Sequence, residues 1–311
     1  MNPTLEDYLR TAILTLVLLG VGIALQRVKA AKPVFRVINL LIIWVMLPAI
    51  VFSSIAYQSP TWILGAALPL AFVGLGVCFI LSMGIARTMH LDKKASAAMI
   101  LNASFMNVTY LGLPIVYALF GPAGLGPASL YAMAIGVMHL TFGVALATSA
   151  AGKKVSPRSI VLGVLTFPAA FALIVALLFV GFRALPPTDM KTVLDYLAKP
   201  SFFLMLLFVG YKMPPINPRK YLSSLATVGI IRSLICPIVT YFCIIVLPGV
   251  EIGGPIAKPA LIMAAMPPAV FNMVIANKFK LDLKLCGALV FYLTLVSLFL
   301  VLPLIVYLFG F

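Results

Sequence analysis

Acidic residues are scarce in this chain: seven Asp and Glu stand against 22 Lys and Arg in 311 residues. The seven, Glu6, Asp7, Asp92, Asp189, Asp195, Glu251 and Asp282, fall at the edges of apolar runs or between them. A proton pump or antiporter that relays through buried carboxylates is therefore disfavoured, and intramembrane aspartyl proteolysis lacks its acids. Histidine is rarer still, with two, His90 and His139, and no HExxH stretch exists to hold a catalytic zinc. The four cysteines, Cys78, Cys236, Cys243 and Cys286, sit inside apolar runs at no metal-like spacing. They read as small packing residues, and a disulfide framework is not expected. No nucleophile and base can be assembled from residues at membrane depth, so no enzyme is expected. A basic n-region is also missing ahead of the first apolar run, which reads as a retained helix and not as a cleaved signal peptide.

What is abundant is hydrocarbon. Apolar residues make up 63% of the chain, charged ones 9%, and the mean hydropathy is +1.18. This is the composition of an all-α polytopic membrane protein. Each crossing of a roughly 30 Å core takes about 20 apolar residues. Splitting the runs at charged or Pro/Gly-rich punctuation predicts ten spans near 7–27, 33–56, 61–87, 94–120, 124–149, 159–183, 190–211, 221–248, 256–278 and 282–309. Nothing is left for a soluble domain.

The charges sort across these spans. Sixteen cations lie in alternate loops: Arg27, Lys29, Lys32, Arg36, then Arg87, Lys93, Lys94, then Lys153, Lys154, Arg158, then Lys212, Arg219, Lys220, and last Lys278, Lys280, Lys284. The other side holds five, Arg10, Arg183, Lys191, Lys199 and Lys258, among the acids. The positive-inside rule then places the basic loops in the cytoplasm and both termini outside. The net charge of +15 reports topology and contact with anionic lipid headgroups, so it calls for no nucleic-acid partner.

Two proline landmarks recur at nearly one interval: Pro48 against Pro200, 152 apart, and Pro114 against Pro267, 153 apart. The chain reads as two five-span copies, 1–151 and 152–311. Five is odd, so the second copy enters from the opposite side, the inverted repeat of secondary transporters, whose sites lie at the midplane. Pro114 with Gly112, and the pair Pro267 and Pro268, predict breaks in the fourth span around 109–114 and in the ninth after "AAM". Broken backbone at membrane depth survives where it is buried in protein or lines a cavity. Half-helices restarting near Pro114 and Pro268 would aim free N–H groups at one crossing, which favours an anion.

Several polar residues fall near that crossing. Asn107 is the foremost ligand candidate, with Asn102 in support and Asn272 as its counterpart in the ninth span. The alternative for each is that its amide satisfies the broken backbone. Arg232 lies at the midplane, able either to bind a substrate carboxylate through its planar fork or to bond carbonyls freed by the breaks. His139 offers either proton sensing or an interhelical hydrogen bond. Asn39 and Ser53 are possible lining groups, and the tyrosines read as interfacial anchors and packing.

The stretches "LPAIVFSSIA", "MNVTYLGLPI", "IIRSLICPIV" and "AAMPPAVFNMVIANKFKLD" together resemble the auxin efflux carrier family, which includes bacterial and archaeal permeases and the plant PIN-formed carriers. The resemblance covers essentially the whole chain. It implies ten spans in two inverted repeats, with broken spans four and nine crossing where an organic anion binds, the layout of the bile-acid/sodium symporters. It also implies a scaffold from spans one, two, six and seven (7–56, 159–211) that forms a homodimer contact. A transport domain would comprise the other spans (61–149, 221–309). The family's crossover asparagine falls on Asn107 and its crossover prolines on Pro114 and Pro267. The chain departs from the plant carriers in its central loop: only "AAGKKVSPR" joins the copies, which removes the regulatory segment and any reason to single out auxin.

The reading expected from all this is an elevator-type carrier of a small organic anion, such as a carboxylate, in the plasma membrane. No cofactor is called for, and sodium or a proton is available as coupling ion. The competing readings are a receptor that binds the same ligand without moving it, a sodium-coupled symporter of the bile-acid type, and a channel.

Overall fold

In hydrocarbon every backbone donor needs an internal partner, so long apolar runs become helices. The computed structural model describes residues 5–57, 67–214 and 216–309, and positions 61–66 of the third expected span lie outside these. The helices are α1 (Leu5–Leu25), α2 (Ala31–Ile55), α3 (Ala67–Thr88), α4 (Lys93–Ser104), α5 (Val108–Ala150) and α6 (Pro157–Leu165). They continue as α7 (Pro168–Gly181), α8 (Thr188–Lys212), α9 (Pro218–Val246), α10 (Ala257–Ala264), α11 (Phe271–Phe279) and α12 (Leu283–Leu308). Among the described residues there is no β-strand.

Among the described residues seven helices are long and apolar enough to cross a membrane, and the pair α6 and α7, bent by 65°, makes an eighth if taken as one span. Three features separate this from ten uninterrupted spans. Expected spans four and five meet within α5, which turns sharply at Gly121, with φ 61° and ψ −156°, just before Pro122. That φ belongs to the region glycine enters without steric cost. The sixth expected span bends at Thr166 and Phe167, because a residue ahead of Pro168 is pushed out of helical conformation. The fourth and ninth are interrupted outright. Their leading pieces, α4 of 12 residues and α10 of 8, are too short to cross at about 1.5 Å per residue.

Proline acts in a second way. The helical runs contain widened π turns at Ile42–Met46, Val108–Gly112, Ile230–Ile235 and Ser297–Val301, each ending two residues before a proline: Pro48, Pro114, Pro237 or Pro303. Proline lacks an N–H and crowds the carbonyl four residues back, and a widened turn relieves both. A further π turn, His139–Gly143, has no proline after it.

The helices pack throughout on one another, and α2 and α8 both meet α5. α1 lies along α8 at Gly22 and Gly210, where a Cβ on either would run into the backbone of Leu207 or of Leu19. Small residues permit such backbone-to-backbone approach. Gln26 Nε2 ties the same pair together, donating to the carbonyls of Gly210 (3.0 Å) and Met213 (2.8 Å). α2 packs on α7 and α8. Elsewhere α3 packs on α4, α5 and α9, and α12 packs on α4, α9 and α11. Asp92 caps α4 and Asp282 caps α12 by accepting first-turn N–H groups, which gives these two acids local structural work.

Candidate functional site

The two interruptions meet. Between α4 and α5 the chain is extended through Phe105, and between α10 and α11 it passes through Pro267 and Pro268. Asn107 N–H donates to the Pro267 carbonyl at 2.7 Å, Ala269 N–H donates to the Phe105 carbonyl at 2.9 Å, and Met106 stands opposite Pro268 in an antiparallel bridge. The backbone groups freed by each break therefore serve the other. Phe105 and Met106, with Pro267 and Pro268, are buried in the centre of the protein, as are all eight residues of α10.

The first break lies upstream of the expected 109–114, and the second falls at Pro267 and Pro268, after "AAM", as expected. The first helix restarts at Val108, so Gly112 and Pro114 fall in its first turns; Pro114 widens the π turn in which Gly112 N–H reaches the Asn107 carbonyl at 2.9 Å. The second restarts at Phe271 and not at Pro268. Gly112 matters for another reason: a Cβ there would meet Met263 Sδ at 2.6 Å and Met266 Cγ at 3.3 Å, so its absence lets the crossing segments pack.

Arg232 is fully buried and engaged from below. Its Nη1 donates to the carbonyls of Ala103 (3.2 Å) and Ser104 (2.9 Å), and its Nη2 to that of Ala264 (3.2 Å). These are the last carbonyls of α4 and α10, which have no intrahelical donor and carry the negative ends of two helix dipoles. One cation thus closes both breaks. Asn272 Nδ2 is shared among the carbonyls of Leu101 (3.3 Å) and Phe105 (3.2 Å) and Asn102 Oδ1 (3.3 Å). Asn102 Nδ2 turns away to Ala98 O (2.7 Å) and Cys286 Sγ (3.1 Å). Ser297 Oγ donates to Ala265 O at 2.9 Å.

In front of this frame lies a cavity of about 210 Å³, and Asn107 and His139 line it. Its remaining walls are mostly apolar, with Ile43 and Leu47 of α2, Leu140 and Phe167 among them, and Thr109 and Tyr110 at the restarted helix. Asn107 Nδ2 is buried without a hydrogen-bond partner, and His139 Nε2 is buried with the Asn272 side chain beside it. The imidazole stacks on Phe105 (centroids 4.2 Å, interplanar 4°) and meets Phe271 edge-on at 5.2 Å, so each crossing segment holds one side of it. Gly143 makes that stack possible, since a Cβ there would lie 2.7 Å from His139 Cδ2 and 3.1 Å from Phe105 Cε2. Arg232, Asn102 and Asn272 do not line this cavity.

Two further chambers lie along the surface where α2 and α8 face α5 and the crossing. One, of about 480 Å³, includes Ser53, Tyr57 and Pro122; the other, of about 370 Å³, includes Lys32, Arg36 and Asn39. Tyr110 and Phe271 wall both the second chamber and the central cavity, and Tyr110 Oη donates to Asn39 Oδ1 at 2.8 Å. Tyr110, Thr109, Phe105 and Phe271 are absent from the sequence-level candidates, although Tyr110, Thr109 and Phe271 stand inside the quoted stretches and Phe105 immediately precedes one. Among the described residues no three His, Cys, Asp or Glu side chains come together as a metal site.

Compared with protein families, the chain matches the one described as membrane transport protein over residues 11–307, nearly its whole length. It belongs to that family, the auxin efflux carriers. No curated protein matches it. As an auxin efflux carrier family member the protein is a membrane transporter whose apolar helices cross the bilayer several times.

Proposed function

We propose that the protein carries a small organic anion, such as a carboxylate, by alternating access, with the anion held in the cavity at the crossing. The observation that carries this reading is Asn107 Nδ2, a donor buried without a partner at the wall of a central cavity that His139 also lines. A buried donor without a partner is costly unless something fills the place. Asn107 would donate to the anion, joined by the leading N–H groups at Thr109 and Tyr110, which precede the first intrahelical acceptor. The apolar walls would take the rest of the molecule. Arg232, Asn272 and Asn102 would position the crossing without touching the substrate.

In this reading the broken pieces α4 with the start of α5, and α10 with α11, count as spans four and nine, which completes ten spans in inverted copies, 1–151 and 152–311. The α1, α2, α7 and α8 group is the scaffold, and it also offers a homodimer face. The group around the crossing is the transport domain, and all three chambers lie between the two, where an elevator movement would open one mouth and close the other. The basic loops face the cytoplasm of the plasma membrane.

The test is flux into proteoliposomes with labelled mono- and dicarboxylates. Saturable uptake with counterflow, reduced at least about tenfold by Asn107→Ala, is expected. Saturable binding with no uptake under any gradient would favour a receptor instead. Repeating the assay with imposed sodium and proton gradients identifies the coupling ion.

A further inference from the structure

The two outer chambers differ in charge. In the larger one Lys191 is neutralised by Asp195 at 3.0 Å. The smaller one, at the end of the molecule where the basic loops gather, is bounded by Lys32, Arg36 and Lys212, and among the described residues no acid lines it. Among the described residues none of these three cations forms an ion pair. Lys212 Nζ rests over the rings of Phe208 (5.5 Å) and Tyr211 (5.8 Å), and Tyr211 stacks on Phe35 at 3.8 Å, so the cations stand against a flat aromatic wall. The chamber is divided from the central cavity by Tyr110, pinned to Asn39 on α2.

We propose that this basic chamber is a second anion site, one that captures a carboxylate from the cytoplasm before it passes Tyr110 to the crossing. The inference rests on the transport reading above. Three unneutralised cations in a concave site concentrate anions and raise their capture rate by about ten- to a thousandfold, an effect that salt weakens. The opposite chamber has no such excess. Half-saturation is therefore lower from the basic side, and salt raises it there more than on the other side.

The test needs no knowledge of the natural substrate. Val274, which lines the chamber, is replaced by cysteine in the full chain carrying Cys243→Ser, and the rates of modification by an anionic sulfonate and a cationic trimethylammonium thiosulfonate reagent are compared. The anionic reagent should react about tenfold faster, and the ratio should fall toward unity in Lys32→Gln/Arg36→Gln/Lys212→Gln. Millimolar benzoate should slow the reaction in the first protein and not in the neutralised one. A neutral reagent reports folding of the triple variant; if that variant fails, Arg36→Gln alone should lower the ratio in part. A ratio that does not change on neutralisation would overturn the proposal. Protection by phosphatidylglycerol but not by benzoate would overturn it too, assigning the chamber to lipid headgroups. Flux is not read in this assay, so loss of the transport reading would show separately, as absent uptake with the charge ratio intact.

Discussion

The first break and the second carry the same residue type and use it in opposite ways. Asn107, at the exit of the first, has an amide nitrogen without a partner and faces the cavity. Asn272, at the exit of the second, shares its amide nitrogen among two carbonyls of the first segment and Asn102. The backbone explains the division. Pro267 and Pro268 have no N–H, so the second segment meets the first through the Pro267 carbonyl and the Ala269 N–H, and Asn272 supplies further donors. The first segment is held by these bonds and by Arg232, without use of the Asn107 amide nitrogen. Under the proposed function one break supplies chemistry and the other supplies the frame, and substitutions should separate the two.

The largest effect should come from the group that both breaks share. Arg232→Leu leaves the carbonyls of Ala103, Ser104 and Ala264 buried without donors, at about 1–3 kcal/mol each, so the apparent melting temperature should collapse and flux vanish with it. Next comes the matched pair of asparagines. Asn272→Ala should lower stability by about 1–3 kcal/mol, because Asn102 Oδ1 loses its donor and the Leu101 and Phe105 carbonyls each lose a second one. Asn107→Ala should leave stability within about 0.5 kcal/mol, since its amide nitrogen has no partner, yet cost roughly 10- to 150-fold in anion affinity. Thermal denaturation followed by size exclusion, run beside flux, reads both. If the two alanine variants lost stability equally, the division between frame and chemistry would be gone.

Two glycines offer a finer test. At Gly143 an added Cβ meets His139 and Phe105, two rings stacked face to face that cannot both give way. Gly143→Ala should displace the imidazole and reduce flux about fivefold, for a loss of about 1 kcal/mol of stability. At Gly112 the obstacle is the thioether of Met263, the flexible end of a side chain, so Gly112→Ala should keep flux within about twofold. Equal losses would mean that the imidazole's position does not matter for transport.

Much of this was legible beforehand, for identifiable reasons. Hydropathy and proline marked the crossing elements because membrane helices obey length and hydrogen-bonding rules that a sequence displays directly. Pro114 pointed to the right helix and to a place a few residues too late: a proline disturbs the turn before it, so the π turn sits at Val108–Gly112 and the extended residues precede that. Arg232 had two possible roles in the sequence, and only the placement of the Ala103, Ser104 and Ala264 carbonyls shows which acceptors its guanidinium meets. Tyr110 and Phe271 were invisible because an aromatic residue in a membrane helix is most often an anchor or packing, and nothing in composition marks one that walls two cavities. The pairing of Phe105 with His139 joins residues 34 positions apart through a π turn that no proline announces.

Tyr110 provides the smallest and most pointed test. Its hydroxyl joins the restarted helix to Asn39 on α2, and its ring stays on Phe208 at 5.4 Å whether or not the hydroxyl is present. Tyr110→Phe therefore removes one bond between α5 and α2 and keeps the wall. In the proposed elevator movement a bond of about 1 kcal/mol has to break before the groups slide, so its removal should raise the initial counterflow rate about fivefold. Stability should fall by no more than that bond. A rate that dropped as far as in Asn107→Ala would instead place the Tyr110 hydroxyl on the anion, and the first break would then contribute two ligands where the second contributes none.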